Sequence, residues 1–139
     1  MKQQIFQCCA IVLLCATTAF AQTKPAVGND SDAHGCKRST GATWSVLKEA
    51  CIRVFEDGHR LDAKGKGIDK TFSAFIVFRS TMNQAQAELF LPNSETSILL
   101  NLKDGSDDNF WQNKKYTLRK MKGVYSLYNK KKQLLYRGK

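Results

Sequence analysis

Residues 72–102 read FSAFIVFRSTMNQAQAELFLPNSETSILLNL, and the alternation within them decides the fold. Phe72, Ala74, Ile76 and Phe78 share one face, with Ser73, Phe75 and Val77 on the other, so this segment is a strand apolar on both sides and central in its sheet. Ala85, Ala87, Leu89 and Leu91 form the next inward row, ended by Pro92-Asn93-Ser94. Ile98, Leu100 and Leu102 make a third, stopped at Asp104-Gly105. A period of two over short runs bounded by turn residues is the signature of β-strands.

The same pattern extends in both directions. Downstream, Tyr116 and Leu118 alternate with Thr117 and Arg119, and Val124 to Tyr128 pairs with Gln133 to Arg137 around the turn Asn129-Lys130-Lys131-Lys132. Upstream, Ile52, Val54 and Leu61 flank the turn signal Glu56-Asp57-Gly58, which predicts a first hairpin or a bent strand. Ala63 to Asp69 is a basic loop with two glycines. From Thr43, the spacing of Trp44, Leu47 and Cys51 predicts a short helix capped by Thr43, with Trp44 as a core plug. The fold class is therefore all-β: six or seven strands closing into a small antiparallel β-barrel, OB-like or lipocalin-like, with a short N-terminal helix. No internal repeat and no second core is visible.

The first residues point to export. Lys2 is followed by an apolar run, Ile5 to Ala16, too short to span a bilayer, and Thr17 to Ala21 supplies small residues before Gln22. This reads as a secretory signal peptide over 1–21, cleaved near Ala21/Gln22, giving a secreted or periplasmic product without a membrane span. A lipid-modified cysteine needs a small residue before it, whereas Gln7, Cys8 and Leu14 precede Cys8, Cys9 and Cys15, so the chain does not read as a lipoprotein. Residues 22–34 are polar, contain Pro25, and read as a flexible leader; 35–139 form the single barrel domain. The two remaining cysteines, Cys36 and Cys51, form an even pair in an exported chain, which predicts a disulfide. They lack the Cys-x-x-Cys or His-x-x-x-His partners of a zinc site, and no metal or cofactor is expected.

Charge is the other strong signal. Losing Lys2 with the signal takes 22 basic residues to 21 against 12 acidic ones, a net of +9. No acid follows Asp108, while Lys114, Lys115, Arg119, Lys120, Lys122, Lys130, Lys131, Lys132 and Arg137 all do, with Lys139 beyond them. Such a basic patch draws in acidic partners, here an anionic polymer. Tyr116, Tyr125, Tyr128 and Tyr136 interleave with the cations as in single-strand-binding barrels, yet an exported chain meets little nucleic acid, and none is expected as partner.

Enzyme chemistry does not assemble. The two histidines are His34 and His59, and no zincin, nucleophile-elbow or phosphate-loop motif occurs. Asp57, His59 and Asp62 lack a neighbouring nucleophile, and Glu56 with Glu88 is a chance-level glycosidase pair. Asp104, Ser106 and Asp108 match half a calcium loop, but Asn109 and Lys115 stand where glycine and the closing carboxylate belong. The expectation is a binding protein without catalytic residues.

Two resemblances add to this reading. Ala87-Glu88-Leu89, Leu100, Phe110-Trp111 and Tyr116-Thr117-Leu118 resemble the strand markers of the MliC-type barrels, which implies inhibition of c-type lysozyme. The departures are Gly105-Ser106-Asp107-Asp108 in place of that family's Ser-Gly-x-x-Tyr loop, and a cysteine pair confined to the N-terminal part. A basic chain would also be repelled by a basic lysozyme. In format (signal peptide, small barrel, no catalytic set) the chain looks like the potempins, secreted bacterial peptidase inhibitors with OB-like barrels. The segment from Trp44-Ser45 to Asp57-Gly58 looks like cassettes of exported bacterial proteins. The potempin resemblance implies a target peptidase, with Asn93, Ser94, Glu95, Thr96, Asp104, Ser106, Asp107 and Asp108, or the leader at Cys36, as inhibitory-loop candidates. The alternatives are an anionic-polymer binder using the basic C-terminal hairpin, and a lysozyme inhibitor.

Overall fold

A computed structural model describes residues 30–103 and 109–139. The expected signal peptide over 1–21, residues 22–29 of the expected leader, and Asp104, Ser106, Asp107 and Asp108 lie outside the described residues. The alternating segments form eight strands: β3 (His59–Ala63), β4 (Ser73–Phe78), β5 (Gln86–Phe90), β6 (Ile98–Leu102), β7 (Phe110–Gln112), β8 (Tyr116–Met121), β9 (Val124–Asn129) and β10 (Leu134–Arg137). Each pairs antiparallel with the next, and β10 returns to β3 through Tyr136↔Ala63 and Arg137↔Asp62, closing the barrel. The amides of Lys64 and Gly65 both donate to the carbonyl of Leu135 and tighten this seam. The nearest-neighbour order is that of an up-and-down barrel, as in lipocalins, and differs from the five-stranded Greek-key OB form. The strand count exceeds the expected six or seven because β7 has three residues, too few to show an alternation around Phe110-Trp111.

Inward positions fill the barrel. Leu61, Ala74, Ile76, Ala87, Leu89, Leu100, Trp111, Leu118 and Leu127 are fully buried there, with Ala63, Phe78, Tyr125 and Tyr136 completing the core. Ala63, Ala74 and Ala87 keep three consecutive strands narrow, while Trp111 fills the opposite wall. In β10 the register slips between Leu134 and Tyr136, and this bulge lets Leu135 as well as Tyr136 pack on the core. Ala85, assigned to the inward row of β5, instead lies exposed before that strand begins.

The expected helix from Thr43 is a correction. That stretch forms a hairpin of β1 (Thr43–Ser45) and β2 (Ala50–Ile52), in which Trp44 faces Cys51 across the ladder. The residues between turn through Glu49 at a positive φ of 51°. Trp44 is half-buried and stacked on His34 at 4.3 Å, outside the barrel core. The Glu56-Asp57-Gly58 signal belongs to one helical turn, α1 (Val54–Asp57), capped where the Gly58 amide reaches the carbonyl of Val54. A β-carbon on Gly58 would lie 2.6 Å from that carbonyl and 3.2 Å from a methyl of Val77, so only glycine lets α1 seat against β4.

The segment before β3 explains why β4 is apolar on both faces: α1 packs on β4, and the hairpin covers Glu88 on β5. Val77 and its cross-strand neighbour Glu88 point outward from the barrel, yet both are fully buried. Cys36 and Cys51 are disulfide-bonded, tying the hairpin to a turn in which Asp32 accepts the amides of His34 and Cys36. The domain boundary read at Gly35 falls inside this turn, whose hydrogen bonds begin at Asp30. A cross-link over a separation of 15 residues restricts the unfolded chain. The double variant Cys36→Ser, Cys51→Ser is expected to lose about 3 kcal/mol in urea denaturation. Unchanged stability would mean that the hairpin stays docked without its cross-link. Among the described residues no helix is long and apolar enough to cross a membrane.

Candidate functional site

Antiparallel order sends alternate connections to opposite ends of the barrel. One end collects the β3–β4 loop (64–72), the β5–β6 loop (91–97), the β7–β8 turn (113–115) and the β9–β10 turn (130–133). Three of these connections are neighbours around the rim, and they carry Lys64, Lys66 and Lys70, then Lys114 and Lys115, then Lys130, Lys131 and Lys132. All eight lysines are exposed. The carboxylates on the same end are Asp69 and Glu95. Ion pairs among the described residues fall elsewhere, at Lys48–Asp57, Arg53–Glu56, Arg60–Asp62 and Arg79–Glu49. The lysine end therefore projects an uncompensated positive field.

Its loops are braced. Asn113 accepts the amides of Lys115 and Tyr116 at 2.8 Å and donates to the carbonyl of Leu99 at 3.1 Å, which holds Lys114 and Lys115 outward. Asn129 plays the same part for the lysine triplet: its Oδ1 accepts the Gln133 amide at 2.9 Å, its Nδ2 donates to Gln133 Oε1, and its carbonyl receives the Lys132 amide. In the β3–β4 loop Ile68 packs down on the barrel core, leaving Lys64, Lys66 and Lys70 on the outside. Asp69 accepts the Thr71 amide at 2.8 Å, and that bond holds its carboxyl below the usual range.

The basic residues grouped by sequence separate in space. Lys114, Lys115, Lys130, Lys131 and Lys132 belong to the lysine end. Arg119 lies on the outer wall over the Phe110 ring at 5.0 Å, and Arg137 on the outer wall opposite Asp62. Lys122 occupies the β8–β9 turn at the far end, and Lys120 lies there over Tyr125 at 5.2 Å. The C-terminal hairpin is therefore not one continuous basic surface. Lys64, Lys66 and Lys70 replace the missing members; the glycine-flanked lysines of the 63–69 loop were the visible signal, but only barrel closure brings them beside the 130–132 turn.

The tyrosines do not form an exposed stacking platform. Tyr125 and Tyr136 are core residues, Tyr116 packs against the core, and Tyr128 is half-buried. Burial also raises the Tyr136 phenol's pKa, with help from Tyr116 and Asp69. Of the inhibitory-loop candidates, Asn93, Ser94, Glu95 and Thr96 are exposed on the β5–β6 loop beside the lysines. Asn93 has a positive φ of 62°, and Ser94 Oγ donates to the Thr96 carbonyl at 2.7 Å. Glu88 stands apart from Glu56: it is fully buried with four donors on its carboxylate, whereas Glu56 is exposed on α1.

Fold and surface together define a closed up-and-down β-barrel with a side-chain-filled interior and one lysine-covered end. No protein-family model, curated protein or solved structure matches the chain.

Proposed function

We propose that this chain is an exported, non-enzymatic binding protein that holds an anionic polymer on the lysine end of its barrel. The observation that carries the reading is the convergence of Lys64, Lys66, Lys70, Lys114, Lys115, Lys130, Lys131 and Lys132 on three neighbouring braced connections, with Asp69 and Glu95 as the carboxylates of that end among the described residues. Because the turns are held by Asn113 and Asn129, little backbone ordering accompanies binding. Lysine presents a compact, hydrated charge without bidentate geometry, which suits a repeating anionic chain of variable register. The signal peptide and the Cys36–Cys51 bond support an oxidising, exported setting.

Long-chain polyphosphate serves as the probe. Its Kd is expected to weaken by about tenfold or more between 50 and 200 mM salt, as counterion release requires. Changing Lys130, Lys131 and Lys132 together to serine is expected to weaken it by about tenfold, and Lys122→Ser at the other end to leave it unchanged. A Kd indifferent to salt and to the triplet would overturn the proposal.

A peptidase-inhibitor role remains the second reading, favoured by the braced Asn93–Thr96 loop. It requires a tight complex that survives high salt, since a filled cleft is screened far less than an exposed charge array. The net positive charge also runs against a basic lysozyme as target.

A further inference from the structure

At the far end of the barrel, away from the lysine loops, a cleft is lined by His59, Arg60, Lys120, Gly123, Tyr125 and Lys139. Among the described residues no carboxylate side chain lines it. Arg60 already has a counter-charge, Asp62, at 2.9 Å. Lys120 is half-buried, and its ammonium rests 5.2 Å above the Tyr125 ring without an ion-pair partner among the described residues. A π face answers such a charge only in part. The His59 imidazole packs 4.9 Å from Tyr125 and 6.0 Å from Phe78.

We propose that this cleft binds a small oxyanion, a carboxylate or phosphate group, between Lys120 and His59 and against Tyr125. The oxyanion supplies Lys120 with the counter-charge that no described carboxylate gives it, and it favours the imidazolium form of His59. In the free protein, burial and then the Lys120 charge hold the His59 pKa below the ordinary histidine value. Among the described residues, the groups around His59 are Lys120 from β8, Tyr125 from β9, Phe78 from β4, Lys139 from the C-terminal tail, and Arg60 with Asp62 on its own strand. Lys120 opposes protonation and a bound anion supports it, so binding takes up a proton and tightens as pH falls through the His59 titration. Histidine is the side-chain type that changes charge in this range.

The chain has two histidines, and the other, His34, stacks on Trp44 beside the N-terminal hairpin, so it is an internal control. Imidazole NMR signals are followed during titration with sodium phosphate or sodium acetate, at ionic strength matched by sodium chloride. Either oxyanion is expected to move the His59 signal saturably and raise its titration midpoint, with His34 unmoved; the stronger of the two identifies the preferred group. Lys120→Met is expected to weaken this response about tenfold or more, and Lys120→Arg to retain it. His59 and His34 moving in parallel, or an undiminished response in Lys120→Met with the barrel amide spectrum intact, would sink the proposal.

Discussion

Replacing Glu88 with alanine is expected to destabilise the protein by about 3–4 kcal/mol and to lower its Tm by more than about 10 °C. Glu88 sits on the outward face of β5, a position that would meet water in an uncovered barrel. Here it is sealed beneath the N-terminal hairpin. One carboxylate oxygen accepts Ser45 Oγ at 2.5 Å and the Leu47 amide at 3.3 Å; the other accepts the Val46 amide at 2.8 Å and Ser97 Oγ at 2.5 Å. Two of these donors are backbone amides of the tight turn between β1 and β2, and without Glu88 they have no acceptor in place. Each buried donor left unmade costs about 1–3 kcal/mol, and the loss is capped by the hairpin's freedom to lift off and rehydrate. Glu88→Gln keeps one acceptor but turns an amide NH2 toward groups that also donate, so it is expected to lose about 2 kcal/mol although it is isosteric. Amide hydrogen exchange over residues 43–52 should accelerate before that of the barrel strands. A Tm within a few degrees of the parent protein for both variants would show that apolar contacts alone dock the hairpin.

This latch shows where reading the sequence succeeds and where it stops. The alternation of Ala74, Ile76 and Phe78, of Ala87 and Leu89, and of Leu118 with Thr117 and Arg119 names the core correctly, because strand periodicity is local. The Cys36–Cys51 pair is equally legible, since these are the two cysteines beyond the expected signal segment. Trp44, Leu47 and Cys51 misled for a physical reason. A hairpin with a four-residue turn places Trp44 opposite Cys51 and tucks Leu47 beneath the turn, which reproduces helical spacing without a helix. β7 shows no alternation of its own because three residues are too few to display a period. Glu88 gave no sign of burial, because the cover over it comes from residues more than forty positions away.

The charged surface repeats the lesson. Lys122 and Lys132 are ten positions apart in a run without acids, yet β9 lies between them and carries them to opposite ends of the barrel. Lys66 is distant from Lys131 in sequence and adjacent to it around the rim, because β10 pairs with β3. Strand count parity decides these placements, and a count of six or seven does not fix parity. The lysine end therefore emerges only from the closed topology, although every lysine in it was visible from the start.

Trp111→Ala is expected to have the larger effect of the two, about 4–5 kcal/mol. The indole is fully buried, packs 5.2 Å from Phe78 and 6.2 Å from Tyr125, and donates from Nε1 to the carbonyl of Gln84 in the β4–β5 loop. Truncation removes the largest side chain of the core and leaves that carbonyl without its donor, so a cavity and a lost hydrogen bond act together. The site also coincides with a short ladder: β7 has three residues, and its pairing with β6 rests on Asn101↔Gln112 and Leu102↔Trp111. With Trp111 gone, the barrel should open first between β6 and β7, and amides 98–102 and 110–112 should exchange ahead of β8 and β9. Trp111→Phe keeps a ring in place and loses the Nε1 bond, with an expected cost of about 2 kcal/mol. Since small domains are stable by only about 5–15 kcal/mol, the alanine variant approaches the limit of folding, and the phenylalanine variant keeps the test interpretable. If exchange in Trp111→Phe rises evenly around the barrel, the β6–β7 seam is not the weak joint, and cohesion is distributed over all eight strands instead.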